Sequence, residues 1–179
     1  MKQNDTIYSI RAKGFNNYEC LYENNLSEFL SKERDAIFGN LCEGYHGDAL
    51  TTTREAWINE VEILQKELLP WKYSNGKIIF EYDIPRLGKR IDVVLLLRGI
   101  IFCLEFKVGE SKIVENDIDQ VLDYALDLRN FHKFSESKVI VPILIATKYQ
   151  KQSSIIQKSV YNDKVLNPLV TGKGGIQEL

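Results

Sequence analysis

The stretch from Lys89 to Lys107 constrains this chain more than any other. It reads Lys-Arg-Ile-Asp-Val-Val-Leu-Leu-Leu-Arg-Gly-Ile-Ile-Phe-Cys-Leu-Glu-Phe-Lys. Two apolar runs rich in β-branched residues flank Arg98-Gly99, which predicts a β-hairpin with a tight turn. If those two residues form the loop, Leu97 pairs with Ile100, and the same register puts Asp92 opposite Glu105. Directly paired Cβ atoms lie roughly 4.5–5.5 Å apart. Side chains alternate along a strand, so Lys107 shares the face of Glu105. Two carboxylates and a lysine therefore meet at one end of an otherwise apolar hairpin.

Two carboxylates at that spacing repel, and one tends to keep its proton. A hard divalent cation such as Mg²⁺ removes the conflict, because it takes carboxylate, water and phosphate oxygens. A lysine beside them can orient an attacking water. Together these residues suit metal-assisted phosphodiester hydrolysis. The bland alternative is a strand end in solvent where Asp, Glu and Lys form a surface ion pair. Glu-x-Lys alone carries little weight, since Glu110-Ser-Lys112 and Glu136-Ser-Lys138 repeat it. Only Glu105-Phe106-Lys107 lies on an apolar strand with an aspartate facing it.

The helices frame this hairpin. Thr52-x-x-Glu55 predicts a capping box, followed by a helix through Leu69 that stops at Pro70. Trp57, Val61, Leu64 and Leu68 form its apolar stripe, with Glu60 on the border. Residues 77 to 84 read as a strand, and Pro85 to Gly88 as the turn into the hairpin. A helix over 115–131 turns Ile118, Val121, Leu122, Ala125 and Leu128 towards the sheet. Gln120 and Tyr124, four apart, stack on one flank of it. Lys138 to Thr147 is a nearly all-apolar strand, as one covered on both faces should be. Pro142 inside it argues for an edge or a bulge.

These residues resemble the PD-(D/E)XK nuclease signature: Asp92, then Glu105-Phe106-Lys107, with Ile91 in place of Pro, a change that family commonly tolerates. Gln120-Val-Leu-Asp-Tyr124 resembles the Gln-x-x-x-Tyr motif of its RecB-like branch. The resemblance spans roughly residues 53 to 147. It implies an α/β fold, a restriction-endonuclease-like αβββαβ core with a mixed central sheet flanked by helices, and an extra N-terminal helical segment. It also implies Mg²⁺, with Mn²⁺ as a substitute, held by Asp92, Glu105, the Phe106 carbonyl and Glu60. The family often draws an acidic residue from the first helix, and a solvated helix glutamate is the equal alternative for Glu60. Lys107 then orients water and stabilises charge, while Gln120 and Tyr124 contact phosphate or brace the site. The substrate is nucleic acid, and DNA rather than RNA by resemblance only. The wider context resembles the N-terminal nuclease domain of bacterial nuclease–helicase fusions, which implies a helicase-type domain in a longer chain or a partner protein. The rival class is a catalytically silent nucleic-acid-binding or assembly module on the same fold.

Composition narrows the rest. The chain has 179 residues, enough for a proper core, and a net charge of −2. A nucleic-acid partner therefore needs a local basic patch, for which Arg86, Lys89, Arg90, Lys107 and Lys112 are candidates. A solvated charged face is the ordinary alternative. Cys20, Cys42 and Cys103 are odd in number and lack Cys-x-x-Cys spacing, which points to reduced thiols in the cytoplasm. Neither His46 nor His132 has ligand spacing with them. No run approaches the length of a membrane span, and the polar N-terminus is not a signal peptide.

Three segments are expected: an N-terminal helical extension over 1–50, a core over 51–147, and a C-terminal extension or linker over 148–179. In the first, Ile7 to Ile10 reads as a short strand, Gly14 to Asn17 as a turn, residues 26–38 as a helix ended by Gly39-Asn40, and Gly44 to Asp48 as a loop. In the last, residues 148–157 read as a helix. Gly172 to Gly175 reads as flexible, with the tail leading to a further domain.

Overall fold

A computed structural model describes residues 20–45, 49–84, 87–150 and 164–178. The strand expected at Ile7–Ile10, the turn at Gly14–Asn17, His46 and most of the helix expected at 148–157 lie outside them. The chain is α/β, with a six-stranded mixed sheet in the order β1 to β6. The strands are β1 (Tyr22–Asn25), β2 (Gly76–Ile84), β3 (Lys89–Leu97), β4 (Ile100–Lys107), β5 (Val139–Ala146) and β6 (Leu169–Thr171). β1 to β4 run antiparallel to their neighbours, while β4, β5 and β6 are parallel. Parallel neighbours need a crossover. Between β4 and β5 it is a long helix.

The helices are α1 (Leu26–Phe29), α2 (Arg34–Gly44), α3 (Thr51–Glu67) and α4 (Glu115–Phe131). One face of the sheet buries Leu26, Phe29, Ile37, Leu41, Trp57, Val61, Leu64 and Leu68 from α1 to α3 and the turn after it. The other face buries Ala125 and Leu128 of α4. The expected stripe on α3 is therefore correct. With both faces covered, β3 to β5 can be as apolar as they are.

Several local expectations need correction. The single helix over 26–38 is two, broken after Phe29 and restarted at Arg34. Gly39-Asn40 does not end it, and the second helix runs to Gly44. The capping box does not form. Thr52 lies inside α3, whose N-cap is Leu50, with no side-chain cap. β1 was not foreseen, because Tyr22–Asn25 is short and polar. Pro142 is at neither an edge nor a bulge, for the β4–β5 register runs unbroken through it. Two residues earlier, the Ile140 N–H donates outwards to the Lys164 carbonyl, not to β4. Alternation turns the Pro142 nitrogen the same way, towards a gap before β6 pairing begins at Ile143. The missing donor therefore costs no bond to β4.

The described C-terminal residues pack on the sheet. β6 extends it, Val165 and Ile176 are buried, and a 3₁₀ turn spans Lys173–Glu178. The glycines expected to be flexible are not all loose: a Cβ on Gly172 would collide with the Tyr149 carbonyl oxygen. Close approach of backbone to backbone is why glycine stands there.

One irregularity positions everything that follows. The β2–β3 ladder pairs Phe80 with Val93 and Tyr82 with Ile91, but skips Glu81 and Asp92. Across the skip, the faces change step. Phe80 and Val93 belong to the α1–α3 core, Ile79 and Val94 to the α4 core, yet Tyr82 and Ile91 also join the α4 core. Each strand thus carries one residue outside the ladder, like facing bulges. Such features are frequent where a strand must re-aim a side chain.

Candidate active site

The hairpin turn is as expected. Arg98 and Gly99 both have positive φ, 52° and 84°, and Leu97 pairs with Ile100. That is the primed-turn backbone favoured by two-residue loops. The register then holds up to Val93 opposite Leu104. Beyond that point one expectation fails in detail. Asp92 and Glu105 do not continue the ladder as a regular pair, because Asp92, though within β3, has no ladder partner on either side. Its Oδ2 instead accepts the backbone N–H of Phe106 at 2.8 Å. The strands splay, and the two carboxyl groups still touch across the gap.

Burial decides their charge. Glu105 is only 4% exposed. Burial, then the charges of Glu105, Glu60 and Glu81, push the Asp92 carboxyl well above its ordinary range, against the pull of the Phe106 N–H. Burial raises Glu105 too, but Lys107 and a hydrogen bond from Asp92 hold it back. Two carboxylates this close do not both ionise freely, and Lys107 on Glu105 favours the charge there. Glu60, from the middle of α3, is 3% exposed. Burial, then Glu81 and Glu105, push its carboxyl from 4.5 up to about 8. Of the two readings of Glu60, the solvated glutamate is excluded.

Lys107 Nζ donates to Glu105 Oε1 at 3.1 Å and to Gln120 Oε1 at 3.0 Å. Gln120 Nε2 in turn donates to the Tyr124 hydroxyl at 2.8 Å. Burial pulls the Lys107 ammonium down, but Glu105 and Asp117 outweigh it, so the lysine stays charged. The chain Lys107–Gln120–Tyr124 makes the pair on α4 a brace behind the lysine. Phe106 meets the site through its N–H, while its ring is in the α1–α3 core.

Two further residues belong here. Asp117, in the first turn of α4, lies 3.4 Å from Lys107 Nζ. It stands three residues before Gln120, so helical spacing alone places it on the same flank. Glu81 accepts the Trp57 indole N–H at 2.8 Å and a guanidinium N–H of Arg90 at 3.3 Å. Ile84 pairs with Lys89, and that register would have put Glu81 opposite Asp92. The basic patch, by contrast, is largely neutralised. Lys89 pairs with Asp127, Arg90 with Asp83 and Glu81, Lys107 with Glu105 and Asp117. Lys112 is exposed, and Arg86 lies outside the described residues.

The donor set is all oxygen, which suits a hard cation. Oε2 of Glu60 and Oε2 of Glu105 are buried and accept no hydrogen bond. Unsatisfied buried acceptors are costly, and a cation is one partner that an unpaired carboxylate oxygen can take. Among the described residues, no three His, Cys, Asp or Glu side chains stand as a ready-made metal cage. Lys107 instead ties Glu105 and Asp117 together. The three cysteines form no disulfide among the described residues, and Cys103 is buried, its thiol pushed up to about 12. No described helix is long and apolar enough to cross a membrane. Comparison with protein-family models, curated proteins and solved structures finds no match to this chain.

Proposed function

We propose that this chain is a cation-dependent nuclease of the PD-(D/E)XK type, hydrolysing phosphodiester bonds of nucleic acid, in the first instance DNA. One observation carries the reading. Asp92, Glu105 and Lys107 meet where β3 and β4 splay, with Gln120 and Tyr124 behind the lysine and Glu60 buried beside the acids. The element order α3-β2-β3-β4-α4-β5 supports a restriction-endonuclease-like core. A surface ion pair does not explain Glu60 and Glu105, which are 3% and 4% exposed, because burying charge without a partner is expensive.

Asp92, Glu105 and Glu60 are the residues that would hold Mg²⁺, or Mn²⁺ in its place, with the Phe106 carbonyl. Bound there, the cation supplies Lewis-acid polarisation of phosphate and a lower pKa for water. These carboxyls, whose neutral forms burial and mutual repulsion favour, would have to ionise to hold it. Lys107 contributes a fixed positive charge beside the phosphate and orients the attacking water. Glu105, Asp117 and Gln120 fix the direction of its ammonium, and Tyr124 fixes Gln120. A helicase-type motor in the same longer chain or in a partner protein would supply the strands to be cut.

The test uses plasmid, linear and single-stranded DNA with Mg²⁺, Mn²⁺ or EDTA. Wild type should cut only with a cation. Lys107→Ala should lose on the order of 10²–10³ in rate, the usual cost of a charge-stabilising group. Lys107→Ala cutting at the wild-type rate, or cleavage surviving EDTA, would refute the proposal. No cleavage under any condition would favour the silent binding module.

A further inference from the structure

Glu81 is held in an unfavourable backbone. Its φ is +54°, the left-handed region, in the middle of a strand. A non-glycine residue there costs free energy, and such outliers persist only where surroundings enforce them. What they enforce is the direction of one carboxylate. Glu81 Oε1 accepts the Trp57 indole N–H, and Oε2 accepts from Arg90. Trp57 precedes Glu60 by three residues on α3, and Arg90 precedes Asp92 by two on β3. The Glu81 carboxylate therefore bridges the two elements that carry two of the other acids, and its charge is felt by both Glu60 and Asp92.

A salt bridge does not account for this. Arg90 already has Asp83 at 2.9 Å, on the more exposed side. Exposed ion pairs contribute little, so a second partner is a poor return on a strained strand. A carboxylate with two hydrogen bonds still has lone pairs to offer, and metal-binding carboxylates are usually oriented in just this way. The Oε2 of Glu60 lies buried without a donor in the same cluster.

We propose that Glu81 is a further carboxylate of the cation site, delivered from β2 by its left-handed backbone and oriented by Trp57 and Arg90. The ligand is a hard divalent cation. The proposal rests on the cation-site reading above and adds a residue that the Asp92, Glu105 and Lys107 signature does not contain.

The experiment is calorimetric titration with Mn²⁺ of wild type, Glu81→Gln, Asp83→Asn and Trp57→Phe, with DNA cleavage measured in parallel. Glu81→Gln keeps an oxygen for Trp57 and should bind Mn²⁺ at least about tenfold more weakly. Trp57→Phe loses the orienting N–H along with part of the buried ring, keeps the Glu81 carboxylate, and should weaken binding by about tenfold, the lower end for such supporting groups. Asp83→Asn removes the other Arg90 partner and should bind as wild type does. Wild-type affinity in Glu81→Gln overturns the assignment, as does equal weakening in Asp83→Asn. Should Glu81→Gln fail to fold, unchanged affinity in Trp57→Phe overturns it. Mn²⁺ binding that Glu81→Gln weakens, without DNA cleavage by wild type, removes the nuclease reading and keeps the site. Cleavage with unchanged Glu81→Gln affinity does the reverse. A wild type that binds no Mn²⁺ removes both.

Discussion

Glu60 offers the sharpest test of the electrostatics, because its neutral form has a close mimic. In Glu60→Gln the side chain keeps its size and can no longer ionise. The folded protein holds the Glu60 proton up to about pH 8, against an ordinary value of 4.5. Between those values the unfolded chain has lost the proton and the folded one has kept it. Unfolding then releases a proton, so rising pH weakens the wild type. The stability is fully present below pH 4.5 and is lost as pH rises towards 8. Each pH unit in that window is worth 1.36 kcal/mol. From 4.5 to 7 the loss is about 3 kcal/mol, and above 8 it levels off.

Glutamine does not titrate, so Glu60→Gln should gain on the wild type by that amount. In EDTA the two should melt within about 2 °C of each other at pH 5, where the difference is under about 1 kcal/mol. At pH 7 the variant should melt about 6–12 °C higher, at the usual 2–4 °C per kcal/mol for a chain of this size. Mn²⁺ should shrink the gap, because the wild type binds the cation more tightly than the variant. The measurement is thermal unfolding of both proteins across pH 5 to 8, with and without Mn²⁺. A gap that stays flat across this range in EDTA would refute the argument, since a buried carboxyl that titrates normally is not pressed by its neighbours.

The remaining expectations concern the brace and the tail. Gln120→Ala and Tyr124→Phe should slow cleavage while lowering stability by only about 1 kcal/mol, the net worth of one hydrogen bond. A Tyr124→Phe protein that melts much lower with unchanged turnover would make the tyrosine structural. Ile176→Ala should cost about 2–5 kcal/mol, because Ile176 is fully buried in the α1–α3 core. A variant melting like the wild type would show that the C-terminal turn is not part of the folded unit in solution.

The hairpin was legible because three local signals agree. Arg98-Gly99 suits a primed turn, β-branched runs flank it, and apolar stretches mark strands covered on both sides. The Trp57 stripe was legible for the same kind of reason, since helical period fixes a face. Cap and break positions were not. Thr52 lost its cap because Leu50 takes that place without a side-chain bond, and the break after Phe29 carries no Gly or Pro to announce it. β1 was invisible because a four-residue polar edge strand owes its existence to β2, not to its own sequence.

At the site, proximity could be read but step could not. Counting back from the turn places Asp92 near Glu105 whether or not the strand stays regular. Counting cannot reveal that Asp92 and Glu81 both leave the ladder, because facing omissions preserve the register on either side. The face alternation is what changes. Tyr82 and Ile91, read by period two from Phe80 and Val93, belong with the α1–α3 core, yet they join the α4 core. The step frees Asp92 to take the Phe106 N–H and turns Glu81 left-handed towards Trp57 and Arg90. A regular β3 would have kept Asp92 under α4 as an ordinary cross-strand partner of Glu105, turned away from Glu60 on α3. By opening the sheet at one point, the paired irregularity lets acids from both of its faces press on one another.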